Sequence, residues 1–260
     1  MAELDLTAHI RAESARFGAA LRAADPTAQV PTCPDWKAAD LLWHLAEVQL
    51  FWAAVVRDGL DSDAADAQKP QRPTDFAELH ALFAGAGEEL LAALEGAPDD
   101  AAAWTWWPAD QSVGFIRRRQ AHEALIHRLD AELTASGSFG AIDAALAADG
   151  IDQALHVDLA WHPEWAELTP SAELGLVQAI DVGRSWLVDV TRWGGVSPNT
   201  GKTWDERMLA VVAEGSPSYT ISGTAAEVDA WLWNRGPRVA VSGDEGGFES
   251  FQAVVSAGGN

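Results

Sequence analysis

Glu123 and His127 stand four residues apart in the run Arg117-Arg-Arg-Gln-Ala-His-Glu-Ala-Leu-Ile-His-Arg-Leu-Asp-Ala-Glu-Leu-Thr134. A carboxylate and an imidazole at that spacing can share a divalent metal, or form a solvated pair. The run has no Gly or Pro and is rich in good helix formers, which predicts a helix. At about 100° per residue, Glu123, His127, Asp130 and Arg119 share one stripe. Arg117, Arg128 and Glu132 fall on the opposite arc, the expected wet side. The chemical stripe, flanked by Ile116, Ile126 and Leu133, is expected to face inward. His122 and His127 do not repeat the His-Glu-x-x-His arrangement of metalloprotease helices, which needs histidines at i and i+4. They are five apart, about 140° around the helix, so they cannot ligate one ion together.

A third donor lies far upstream. The segment from about Asp35-Trp36 to Arg57 has a helical apolar stripe at Leu41, Leu45, Val48, Trp52 and Val55, and His44 sits beside Val48 and Phe51. Taken alone, His44 reads as a core histidine. Beside an inward Glu123–His127 pair it completes two imidazoles and one carboxylate, the ligand set of a catalytic zinc with one open position. Asp130, one turn further along, either bonds His127, contacts a ligand or is a plain surface charge. Cys33, in the break Val30-Pro-Thr-Cys-Pro34, is available as a nucleophile, but a lone cysteine more often packs as a small apolar group.

The elements that must position these groups are legible around them. Leu4–Ala24 has amphipathic spacing through Leu6, Ile10, Phe17 and Leu21. Thr74-Asp-Phe-Ala-Glu78 resembles a helix start, and the helix it opens should reach about Leu94 before Gly96 and Pro98. Trp104-Thr-Trp-Trp-Pro108 is a loop of flat side chains. Asp143 to about Leu159 is a fifth helical pattern, interrupted at Asp149-Gly150, with His156 and His162 unassigned. Trp161–Pro170 reads as a boundary. Beyond it come short β-prone runs at 176–180, 186–190, 209–212, 219–222 and 238–242. A capping box at Thr224-Ala-Ala-Glu227 opens a short helix, and Glu245–Val255 closes the chain. The fold class expected is α+β: a helical bundle over residues 1–160, then a small α+β domain over 170–260.

Composition narrows the partners. A net charge of −22 excludes nucleic-acid binding, which needs a basic face, and leaves an anionic substrate dependent on a local cation. One cysteine excludes an internal disulfide framework and suits a reducing cytosol. The opening Met1-Ala-Glu-Leu-Asp-Leu6 lacks a charged-then-apolar signal pattern, and no apolar run approaches the roughly 20 residues that span a bilayer. A cytoplasmic protein without a membrane partner is expected.

Cys33-Pro-Asp-Trp36, Asp40-Leu-Leu-Trp-His-Leu45, His122-Glu-Ala-Leu-Ile-His-Arg-Leu-Asp-Ala-Glu132 and Asp149-Gly-Ile-Asp152 together resemble the mycothiol-dependent maleylpyruvate isomerase family. Ser222-Gly-Thr-Ala-Ala-Glu227, Trp231-Leu-Trp-Asn-Arg235 and Val241-Ser-Gly-Asp244 are similar to its C-terminal accessory domain. The resemblance implies a DinB-like four-helix bundle with zinc on His44, Glu123 and His127, and mycothiol as co-substrate. It implies that a metal-activated thiolate adds to a small electrophilic substrate, as an isomerase or as an S-transferase. It also places Arg235 at a family arginine position, as a carboxylate anchor or a structural ion pair. Lys37 departs from the small or hydroxylic residue common after the family's Trp, which should weaken the helix cap. A metal-assisted hydrolase and a non-catalytic metal-bearing binding protein remain the alternatives.

Overall fold

The computed structural model describes residues 4–171, 173–236 and 238–258, which form two compact units dividing between Gly140 and Ala141. In the first unit, four long helices build a bundle: α1 (Leu6–Arg22), α2 (Ala38–Asp58), α4 (Phe76–Glu95) and α5 (Val113–Ser136). A short α3 (Ser62–Asp66) sits in the polar connector. The helices pack in a ring, α1 on α5, α5 on α2, α2 on α4 and α4 on α1. Phe17, Leu21, Leu41, Leu45, Leu79 and Phe83 fill one core between them. By length and composition α2 could cross a membrane, but its apolar residues Leu41, Leu42, Leu45 and Val55 are buried in the bundle.

Each helix start has a local cause. The carboxylates of Asp5 and Asp75 accept from Ala8 and Glu78 N–H, and Ser112 Oγ accepts from Phe115 N–H, so α5 begins four residues before the expected Arg117. Gly137, at φ 76°, ends it in the left-handed conformation glycine tolerates. The expected weakening at Lys37 is offset from elsewhere. Asp40 accepts from Lys37 N–H, while Ala38 and Ala39 N–H donate to Ala28 and Pro26 carbonyls. Lys37 itself reaches Gln29 Oε1 at 2.7 Å.

The expected wet arc of α5 is a correction. Arg128 is fully buried, its Nε 2.7 Å from Glu13 Oε2 and its Nη1 3.1 Å from Glu132 Oε2. Arg117 is bound by Asp99, Thr7 and the Leu94 and Ala97 carbonyls. Charges on that arc are tolerated because Glu13 of α1 and Asp99, after α4, meet them.

The second unit opens with α6 (Ala144–Gln153), continued by a π-helical turn at Ala154–Asp158. Its sheet contains β1 (Glu167–Thr169), β2 (Leu174–Ala179), β3 (Arg184–Val196), β4 (Thr203–Val212), β5 (Tyr219–Gly223) and β6 (Ala240–Gly243). The path runs β1-β3-β2-β5-β6 with β4 on the other edge of β3, and only β2 and β5 pair in parallel. Helices α7 (Ala225–Leu232) and α8 (Glu245–Gly258) complete a core of Ile151, Leu155, Val188, Ile221, Val228, Trp231 and Phe251. Thus α6, which the sequence groups with the bundle, belongs to the second unit, where Ala147, Ala148 and Ile151 enter the core. The 161–170 stretch lies within that unit and contributes β1, paired to Gly194–Arg192 of β3.

Helix α6 also continues through Gly150 where a break is expected. A Cβ there would lie 2.7 Å from Asp229 Oδ1, so glycine permits α6 and α7 to meet closely. The Asp229 carboxyl is buried and has no hydrogen-bond partner among the described residues. Burial, with the charges of Asp149 and Asp158 added, holds it well above the usual carboxylate range. The folded chain therefore keeps a proton that the unfolded chain releases above its ordinary value of about 4, and stability falls as pH rises past that point. Asp229→Asn is expected to raise the thermal midpoint at pH 8 and to leave it nearly unchanged at pH 4. Scanning calorimetry at both values checks this.

Candidate metal centre

The candidate site joins the middle of α5 to the first half of α2. Helical spacing on α5 sets Glu123 and His127 side by side, and the α2–α5 packing brings His44 to them. His44 Nε2 lies 3.2 Å and His127 Nε2 3.1 Å from the same oxygen, Glu123 Oε1. The three donor atoms fall within 4.8 Å of one another. Ligands of a tetrahedral zinc at about 2.05 Å are themselves separated by about 3.3 Å, so the two contacts already have the spacing a metal imposes.

The other face of each buried ligand is occupied. His127 Nδ1 is 3.0 Å from Asp130 Oδ2, and Asp130 Oδ1 accepts from Thr32 Oγ1 at 2.5 Å. A carboxylate on Nδ1 fixes the tautomer that presents Nε2, the arrangement typical of metal-binding histidines. Glu123 Oε2 is 2.7 Å from Arg119 Nη2. The Trp36 ring lies 4.7 Å from His44 and 6.1 Å from His127, centroid to centroid, and walls the pair. Side-chain exposure is 25% for His44 against 11% for His127 and 10% for Glu123, so approach is from the His44 side.

The electrostatics match a cation site. Burial alone would raise the Glu123 carboxyl, but Arg119 and the two imidazoles hold it well below the usual range. Burial opposes charge on His127, yet the hydrogen bonds it donates to Asp130 and Glu123 overcome it and lift the imidazole to about 9. The proton on His127 Nε2 thus lies among three converging donors, where a divalent ion would replace it. The residues fit zinc by donor type, spacing and orientation.

Of the residues singled out in the sequence, His44, Glu123, His127 and Asp130 come together. Asp130 is fully buried, not a surface charge. His122 is buried on α5 and is not among the converging donors. Cys33 packs, partly buried, against the bundle core. Arg235 belongs to the second unit, where it is buried and its Nη1 donates to the Trp233 carbonyl at 2.5 Å. Asp152, part of the resemblance, accepts from Trp186 Nε1 and Arg184 Nη2 within the same unit. Thr32 and Trp36 acquire roles at the site that sequence reasoning missed. Thr32 had no signal beyond its place in the break preceding α2, whereas Trp36 stood in the Cys33–Trp36 motif of the resemblance without an assigned role.

Comparison with known proteins follows the same line. Residues 7–132 match the family model of the mycothiol maleylpyruvate isomerase N-terminal domain. Two solved structures share the fold: crystal structures of the mycothiol-dependent maleylpyruvate isomerase, one of them a histidine-to-alanine mutant. They align at TM-scores of 0.62 and 0.63 with 14% and 13% identity, each over 92% of this chain and 93% of the other. No curated protein matches the sequence.

Proposed function

We propose that this protein, whose residues 7–132 match the mycothiol maleylpyruvate isomerase N-terminal domain model, is a zinc-dependent, mycothiol-using enzyme acting on a small electrophilic substrate. The observation that carries the reading is the convergence of His44 Nε2 and His127 Nε2 on Glu123 Oε1, with Asp130 behind His127. Bound zinc would lower the pKa of a thiol at its open position and so supply a thiolate at neutral pH. The chain's own residues do the rest. Asp130, steadied by Thr32, keeps the proton of His127 on Nδ1 and its Nε2 toward the ligand position. Trp36 excludes water from one side of both imidazoles. For Arg235 we propose the role the family resemblance implies, pairing with a substrate carboxylate.

In an isomerisation the thiolate sulfur bonds to one carbon of a conjugated alkene, and the π pair moves onto the adjoining carbonyl. Rotation about the new single bond follows, the C–S bond breaks, and the thiolate returns. In an S-transfer the C–S bond stays and the carbanion takes a proton. The same reading puts the protein in the cytoplasm, where such a thiol stays reduced.

The test is turnover of maleylpyruvate and related unsaturated keto acids by zinc-loaded protein with mycothiol, with glutathione and with no thiol. Consumption with mycothiol and little with glutathione is expected. Equal rates without thiol would favour a metal-assisted hydrolase, and no consumption under any condition a binding protein.

A further inference from the structure

We propose that Arg119 is a positioning residue that keeps Glu123 a one-oxygen ligand and so preserves the position at which a thiol binds. The inference rests on the metal-centre reading above. The two oxygens of the Glu123 carboxylate are already assigned to different partners. Oε1 faces both imidazoles at 3.2 and 3.1 Å, while Oε2 lies 2.7 Å from Arg119 Nη2 one turn back along α5. Arg119 and Glu123 side chains are 19% and 10% exposed, so the contact is screened little by solvent.

A free carboxylate beside a divalent ion can turn to present both oxygens. Here that turn would break a charge-assisted hydrogen bond in a desolvated setting, which opposes it. With Oε2 retained by Arg119, the protein offers three donor atoms, His44 Nε2, His127 Nε2 and Glu123 Oε1. A fourth, exogenous donor completes a tetrahedron. Without the guanidinium, Oε2 is released to occupy that fourth position. The metal would then remain bound while the thiol is excluded. Arg119 thus acts on the reaction through Glu123, not by contact with the reacting atoms.

Cobalt(II) added to metal-free protein is the probe, because its visible absorption reports coordination number and its near-ultraviolet thiolate band reports sulfur on the metal. Arg119→Met is expected to bind about one cobalt per chain, to change the visible spectrum, and to weaken mycothiol binding at least about tenfold. Arg119→Lys, which keeps a cation at the same place, is expected to retain most of the parent spectrum and to fold if the Met variant does not. Parent-like spectra and parent-like mycothiol affinity in Arg119→Met would overturn the inference. So would the same spectral change in both variants, since the cation would then not matter. Failure of the parent protein to bind cobalt would instead remove the metal-centre reading on which the inference stands.

Discussion

Replacing Arg128 by methionine is expected to destabilise the bundle by roughly 3–5 kcal/mol, the usual consequence of leaving a buried charge without its partner. Arg128 has no exposed surface, and it donates to Glu13 at 2.7 Å, to Glu132 at 3.1 Å and to the Gly140 carbonyl at 3.1 Å. Methionine keeps much of the apolar stem, so lost packing contributes little. The cost falls mainly on Glu13, which among the described residues would retain Arg16 at 3.7 Å, whereas Glu132 keeps Arg16 at 3.0 Å and Gly140 N–H at 2.7 Å. Pairing the substitution with Glu13→Gln is therefore expected to recover a large part of the loss. Urea denaturation of the two single variants and the double variant measures this as a coupling energy. A loss below about 1 kcal/mol for Arg128→Met, or no recovery in the double variant, would contradict the account.

That pair also marks where the sequence could and could not be read. The inward stripe of α5 was legible because helical periodicity within one segment determines which side chains align. His44 was legible because its own helix has a clear apolar face. Periodicity also assigned Arg128 to solvent, and there it failed. A helix packed on more than one side has no wet face, and the compensating Glu13 lies 115 residues away. Thr32 failed for the same reason, since its contact with Asp130 spans 98 residues and no local pattern announces it. The division between the units was misplaced because the apolar face of α6 fits either a bundle or a sheet. Only the burial of Ala147, Ala148 and Ile151 in the core of the second unit decides it. Strand β1 gave no signal because it is three residues long and all three are exposed, too short a run for alternation to mark it. What resemblance supplied beyond the residues was the thiol, which no spacing implies.

Removing a ligand is expected to have the largest effect on function. In each of His44→Ala, Glu123→Ala and His127→Ala one of three donors is lost, and two protein donors are too few for a stable zinc site. Loss of a residue that merely orients a ligand lowers affinity or activity about 10- to 100-fold. Loss of the ligand itself should therefore reduce thiol-dependent turnover to below about a hundredth of the parent value. Asp130→Asn is the graded comparison, keeping a hydrogen-bonding group on His127 Nδ1 while removing the charge, and it should lower turnover more than metal content. The fold should survive in all of these variants, because the leucine and phenylalanine core around Phe17, Leu41 and Leu79 is untouched.

The most direct measurement is the zinc content of purified protein, parent and variants, by elemental analysis. The account predicts about one zinc per chain in the parent and in His122→Ala, and little in the three ligand variants. Full occupancy in His44→Ala, or a parent protein that takes up no divalent metal, would contradict it.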